Sequence, residues 1–168
     1  MSHRRLATLA LIAATALAGP SAFAASDAEA IAIQKATPPD HSGSAKVGKA
    51  SYYHPMFNGR KMANGERFDP NDNNAASKTL PLGTTARVTN LANGRSAVVE
   101  IEDRGPYVAG RIVDLSPRTA RQLGIGDEGV VPVEVAPIAV PQPDGSVAPG
   151  VAAEADQAAT GPGRTTSR

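Results

Sequence analysis

Two short runs of alternating apolar and polar residues, joined through Asn93-Gly94, constrain this chain more than any other feature. From Arg95 to Glu102, Ala97, Val99 and Ile101 alternate with Ser96, Val98, Glu100 and Glu102, so one face is apolar and the other mostly polar. That is the period of a half-buried strand. Thr85 to Asn90 alternates likewise, with Ala86 and Val88 set against Thr85, Arg87 and Thr89. Asn-Gly between two such runs is a strong short-range hairpin signal, so an antiparallel hairpin is predicted. Further strands are predicted at Val47 to Tyr53, Ala75 to Thr79, Arg111 to Leu115 and Val130 to Val135.

One helix of about two turns is predicted over Arg118 to Leu123. Ser116 is an N-cap residue, Pro117 suits the first helical position and Gly124 can end the helix. Its apolar residues Ala120 and Leu123 are three apart and could cover one opening of a barrel. Many short strands with one small helix make the chain mainly β and favour a closed barrel over a sandwich.

Composition places the boundaries. Arg4 and Arg5, the apolar run Leu6 to Ala18 and the small-x-small triplet Ala22-Phe23-Ala24 predict a signal peptide over residues 1–24, and Gly19-Pro20 argues against a retained membrane anchor. Residues 25–45 are rich in Ala, Asp, Pro and Ser and read as a disordered linker, and residues 139–168 read as a disordered tail. Of the three Tyr and three Phe, all but Phe23 lie in the folded unit expected over Lys46 to Ile138. The chain has no cysteine, hence no site for a lipid, a disulfide or a thiolate metal centre. Cleavage after Ala24 leaves 144 of the 168 residues; removing Arg4 and Arg5 from the 17 basic residues leaves 15 against 16 acidic ones, a formal charge of −1. Such a chain lacks the basic stripe that nucleic acid requires, and the product expected is a soluble exported monomer.

Two carboxylate-bearing segments carry the chemistry. Ala63-Asn64-Gly65-Glu66-Arg67-Phe68-Asp69 and Glu102-Asp103-Arg104-Gly105-Pro106-Tyr107 set acids in glycine-bracketed loops. Carboxylate pairs are the usual means of cleaving glycosidic bonds. The structural alternatives are ordinary: Asp103 could cap a turn or pair with Arg104, and Glu66 could be a solvated loop residue. Asp114 is a third acidic candidate, read as structural because alternation does not settle which way it points. His54 is the only histidine between Lys46 and Ile138, which leaves a zinc site or a Ser-His-Asp triad with little support, and no glycine pattern cradles phosphate. No metal and no cofactor are expected.

The blocks Gly48-Lys49-Ala50-Ser51-Tyr52-Tyr53, Ala63 to Asp69, Lys78-Thr79-Leu80-Pro81-Leu82-Gly83-Thr84, Val88-Thr89-Asn90-Leu91, Asn93-Gly94-Arg95-Ser96 and Asp103-Arg104-Gly105-Pro106-Tyr107 occur in one order across the whole predicted domain. Together they resemble the rare lipoprotein A family. The resemblance implies a six-stranded double-psi β-barrel and lytic transglycosylase activity on peptidoglycan glycan strands stripped of their peptides. The partners it implies are those strands and division or cell-wall proteins. It implies Asp103 as the general acid and base, at a strand end with the parity of Val99 and Ile101, where apolar surroundings could keep it protonated. Glu66 would be the second, charge-stabilising carboxylate, and Tyr53, Asn64, Ser77, Arg104 and Tyr107 would meet the sugar. The sequence departs from the family at Ser77, where catalytic members carry a histidine. His54 is the candidate substitute, and a non-catalytic, expansin-like glycan-binding barrel is the alternative.

Overall fold

The computed structural model describes residues 38–160; the expected signal peptide, residues 25–37 of the expected linker and residues 161–168 of the expected tail lie outside them. Six strands build the barrel: β1 (Lys46–Tyr52), β2 (Asn74–Ser77), β3 (Thr85–Asn90), β4 (Ser96–Asp103), β5 (Arg111–Leu115) and β6 (Val131–Pro141). They hydrogen-bond in the order β1-β5-β2-β4-β3-β6, and β6 pairs back onto β1, so the sheet closes on itself. The pairs β1–β5 and β2–β4 are parallel and the other four are antiparallel. This is the six-stranded double-psi barrel that the resemblance implies. Closure lets so small a sheet bury one face completely without leaving a free edge.

The alternating residues fill the interior. Ala86 and Val88 of β3, Val99 and Ile101 of β4, Val113 and Leu115 of β5 and Val133 of β6 are fully buried. The hairpin of β3 and β4 pairs Val88 with Ala97, and its turn is held by Gly94 N–H donating to Asn90 O at 2.8 Å. Gly94 sits at φ 73°, a left-handed conformation that only glycine adopts without cost.

Helix α1 (Pro117–Gln122) starts where expected, with Ser116 Oγ accepting from Thr119 N–H at 3.1 Å. Gly124 follows at φ 69°. Ala120 and Leu123 join the barrel core. The hairpin loop caps the helix, since Asn90 Nδ2 and Asn93 Nδ2 donate to Leu123 O at 3.1 and 3.0 Å. No helix among the described residues is long and apolar enough to cross a membrane.

The boundaries drawn from composition need correction at both ends. β6 continues past Ile138 to Pro141 and pairs with β7 (Val147–Pro149), and helix α2 (Val151–Thr160) follows. Residues 139–160 are therefore built into a hairpin and a helix. The Pro- and Ala-rich composition hid them because Val140 and Ala152 are buried by packing against the barrel rather than by a periodic run of their own. Gly150 is required where they meet: a Cβ there would lie 2.3 Å from Pro137 O. Residues 38–45 of the presumed linker are also tied down. Asp40 N–H donates to Thr79 O at 2.6 Å, His41 Nδ1 lies 2.7 Å from Pro141 O, and Val151 N–H donates to Gly43 O at 3.0 Å. The Lys46 ammonium, 2.7 Å from Asp40, holds that carboxyl far below the usual carboxylate range.

A second, smaller cluster lies apart from the barrel core. Tyr53, Met62, Phe68 and Ala76 bury one another, with the Tyr53 and Phe68 ring centroids 4.4 Å apart. The aromatic residues thus pack outside the barrel, whose interior is aliphatic. It is beside this cluster that the acidic residues gather.

Candidate active site

Strand parity assigns Asp103 to the face of Val99 and Ile101, and a β-bulge overturns that assignment. In the β2–β4 ladder Ala75 pairs with Ile101 but Ala76 pairs with Asp103, which leaves Glu102 unmatched. A bulge of this kind re-aims the side chain that follows it. Ala75 belongs to the barrel core and Ala76 to the second cluster, so Asp103 faces outward onto Tyr53.

Three donors hold the Asp103 carboxyl. Ala63 N–H and Arg104 N–H reach Oδ1 at 2.9 and 2.8 Å, and the Tyr53 hydroxyl donates to Oδ2 at 2.9 Å. Both backbone donors occupy Oδ1, so a proton on this carboxyl belongs on Oδ2, next to Tyr53. Burial first, and then the charges of Asp103 and Asp114, push the Tyr53 phenol well above its ordinary range. It therefore remains a neutral hydroxyl that can donate or accept as Asp103 changes state.

A cleft of about 460 Å³ opens beside Asp103. Tyr53, His54, Arg104 and Tyr107 share its lining with Asp103. Tyr53 is 9% exposed and forms part of the wall; Tyr52, Phe57 and Tyr107, at 39%, 36% and 48%, are exposed at the rim, with the Arg60 guanidinium over the Phe57 ring. Arg104 is fixed from behind, its Nη1 donating to Ser77 O at 3.0 Å and Leu80 O at 2.7 Å. Burial pushes its guanidinium below the usual arginine range. His54 Nδ1 accepts from Met56 N–H at 3.3 Å, capping the 3₁₀ turn Pro55–Phe57.

Three expected residues stand elsewhere. Glu66 is exposed on the 62–66 turn and does not line the cleft. Asn64 is exposed as well: its N–H ties the turn to Glu102 O at 2.9 Å, and its Oδ1 accepts from Glu66 N–H at 2.9 Å. Ser77 is 3% exposed, faces the barrel side of β2, and uses its hydroxyl to accept from Leu80 N–H at 3.2 Å. Asp114, read from the sequence as structural, does line the cleft, together with Arg111. Its orientation is set by its neighbours in the sheet, which periodicity along one strand does not reveal.

Glu102, left over by the bulge, has its pKa raised to about 6 by partial burial and by the charges of Glu100, Glu66 and Asp72. A folded pKa above the ordinary glutamate value of 4.5 means that the native state binds more protons between those values. Its ionisation therefore costs stability as pH rises from about 4.5 through about 6. Glu102→Gln is expected to melt higher than the wild type at pH 7 by a fraction of about 1 kcal/mol, since the side chain is largely solvent-screened. The difference should vanish below pH 4.5, where both states are protonated. Melting curves at pH 4 and pH 7 check this, and an equal offset at both would contradict it.

Comparison with known proteins gives this arrangement its context. Residues 45–135, more than half of the chain, match the family described as lytic transglycolase. The chain is 56% identical over 85 residues to a Synechocystis protein named "Probable endolytic peptidoglycan transglycosylase RlpA", covering 51% of this chain and 26% of that protein. It is 48% identical over 105 residues to the endolytic peptidoglycan transglycosylase RlpA of Pasteurella multocida, 62% of this chain and 36% of that one. Against RlpA of Pseudomonas aeruginosa strain UCBPP-PA14 it is 41% identical over 127 residues, 67% and 37% of the two chains. The chain thus spans about a quarter to two fifths of the length of these curated relatives. Among solved structures, the Streptomyces papain inhibitor SPI aligns with a TM-score of 0.44 at 27% identity, covering 56% of this chain and 94% of that one. The expansin of Clavibacter michiganensis aligns at 0.44 and 21%, covering 56% and 50%. The matched stretch begins just before β1, ends within β6 and so contains the closed barrel with Asp103 and its cleft: the chain belongs to the lytic transglycolase family.

Proposed function

We propose that this protein is an endolytic peptidoglycan lytic transglycosylase acting in the cell envelope, where it cleaves MurNAc-GlcNAc bonds of peptide-stripped glycan strands and leaves 1,6-anhydro-MurNAc ends. The observation that carries this reading is the Asp103 carboxyl, fixed by three donors and lining a cleft rimmed by exposed aromatic residues. Sugars rest their apolar faces on such rings while their hydroxyls bond to polar neighbours. Asp103 delivers a proton to the glycosidic oxygen as the bond breaks. The names of the RlpA relatives support the substrate, and the predicted signal peptide supports export to the periplasm in soluble form.

The placement of Ser77 favours weighing a binding role beside the enzymatic one. Its side chain is spent on the 77–80 turn, so β2 brings no titratable group to the cleft. His54 is the imidazole that lines it.

Mass spectrometry on the protein incubated with peptide-free glycan strands decides between them. Products ending in 1,6-anhydro-MurNAc are expected from the wild type. Glu66→Gln, altering a carboxylate outside the cleft, should lose no more than about tenfold in kcat, below the usual contribution of a general acid. Cosedimentation with glycan and no cleavage would make the protein a binding module.

A further inference from the structure

The strand registers set four residues in one row on the outside of the barrel. Asp103 of β4 pairs with Ala76 of β2, Ala76 pairs with Asp114 of β5, and Asp114 pairs with Ser51 of β1. Directly opposed residues share a face of the sheet, so the two aspartates flank a single methyl group. Two interstrand steps of about 4.8 Å each put their Cα atoms about 10 Å apart. Ala76 itself is 1% exposed, covered within the cluster of Tyr53, Met62 and Phe68, so the aspartates reach the cleft on either side of that cluster. Both aspartates line the same cleft, and Tyr53 feels the charge of both.

Asp114 is held by one hydrogen-bond donor and one ion pair. Ser51, 5% exposed, donates its hydroxyl to Oδ1. Arg111 Nη2 pairs with Oδ2 across 3.6 Å, an ion pair longer than a hydrogen bond, so that oxygen keeps acceptor capacity. The guanidinium keeps the carboxylate charged between turnovers, and the oxygen without a hydrogen bond is the one that can receive a proton.

Resting on the transglycosylase reading, we propose that Asp114 is the second catalytic carboxylate of this cleft and the base that takes the proton of the muramyl C6 hydroxyl. As Asp103 protonates the leaving oxygen and the C1–O4 bond breaks, the C6 oxygen bonds to C1 and its proton passes to Asp114. The anhydro ring closes, no water is consumed, and the two carboxyls regain their starting states by exchanging protons with solvent.

Asp114→Asn keeps an oxygen for the Ser51 hydroxyl and removes the base. It should lower kcat on the order of 10²-fold while cosedimentation with glycan strands stays at the wild-type level. Sodium formate should restore turnover to Asp114→Ala, a response that a merely structural role would not give. Wild-type turnover by Asp114→Asn, or no formate response in a folded Asp114→Ala, overturns the assignment and leaves the transglycosylase reading intact. Absence of anhydro products from the wild type itself sinks the reading and the assignment with it. Should neither Asp114 variant fold, Ser51→Ala, which leaves the carboxylate but removes the hydroxyl that aims it, should lower kcat with KM unchanged; an unchanged kcat overturns the proposal.

Discussion

Asp103→Asn is expected to lower kcat on peptide-free glycan strands by about 10²- to 10⁴-fold, the range contributed by a positioned general acid. The substitution is nearly isosteric. Asn can keep its Oδ1 on the N–H groups of Ala63 and Arg104, which hold that oxygen at 2.9 and 2.8 Å. Its amide nitrogen then faces the Tyr53 hydroxyl, which can turn and accept. The network survives and only the transferable proton is lost, so the melting temperature should stay close to that of the wild type. Glycan cosedimentation should persist because the rings of Tyr52, Phe57 and Tyr107 are untouched. Retained turnover in a folded Asp103→Asn protein would move the acid to another residue.

Ile101→Ala tests the opposite link, from packing to stability. Ile101 is fully buried in the barrel, and its N–H donates to Thr84 O at 2.9 Å while its carbonyl accepts from Gly83 N–H at 2.8 Å. Its backbone is therefore fixed to the 83–84 segment by both of its polar groups. Removing the side chain leaves a cavity that a closed barrel is poorly able to collapse, and the expected loss is about 2–5 kcal/mol. Against a typical total of about 5–15 kcal/mol this is a large fraction. Urea unfolding should show a lower midpoint with an unchanged slope. Below the melting transition the variant should turn over normally, since Ile101 points away from the cleft; a changed slope or a loss of kcat would mean that the barrel interior and the site are coupled.

These two variants also mark where the sequence was informative. The apolar alternation that identified β3, β4 and β5 depends on one buried face, and there the predicted and observed strands agree within a residue or two. Ser116, Pro117 and Gly124 bounded α1 by local chemistry alone. Parity failed at Asp103 because a bulge is a property of the pair β2–β4 and leaves no mark in either strand by itself. For the same reason Asp114 was left undecided: its partners Ala76 and Ser51 come from strands distant in the chain. Motif blocks located Asp103, Tyr53, Arg104 and Tyr107, which the fold brings to one cleft, and also Glu66, Asn64 and Ser77, which do not line it although Asn64 N–H bonds to Glu102 O and Ser77 O accepts from Arg104. The extension of β6, with β7 and α2, was missed because proline and alanine give no periodic signal there.

The seam between β1 and β6 has a kinetic meaning. It joins Lys46 to Val135 and Ala50 to Val131, residues at opposite ends of the barrel's sequence. Such a pairing forms only after the intervening chain has been brought together, so refolding should fall in the slow range of high-contact-order domains, about milliseconds to seconds. With each barrel strand hydrogen-bonded on two sides, no strand can peel away alone. The amide protons of β1 to β6 should then exchange with deuterium through one shared opening, at a rate set by global unfolding.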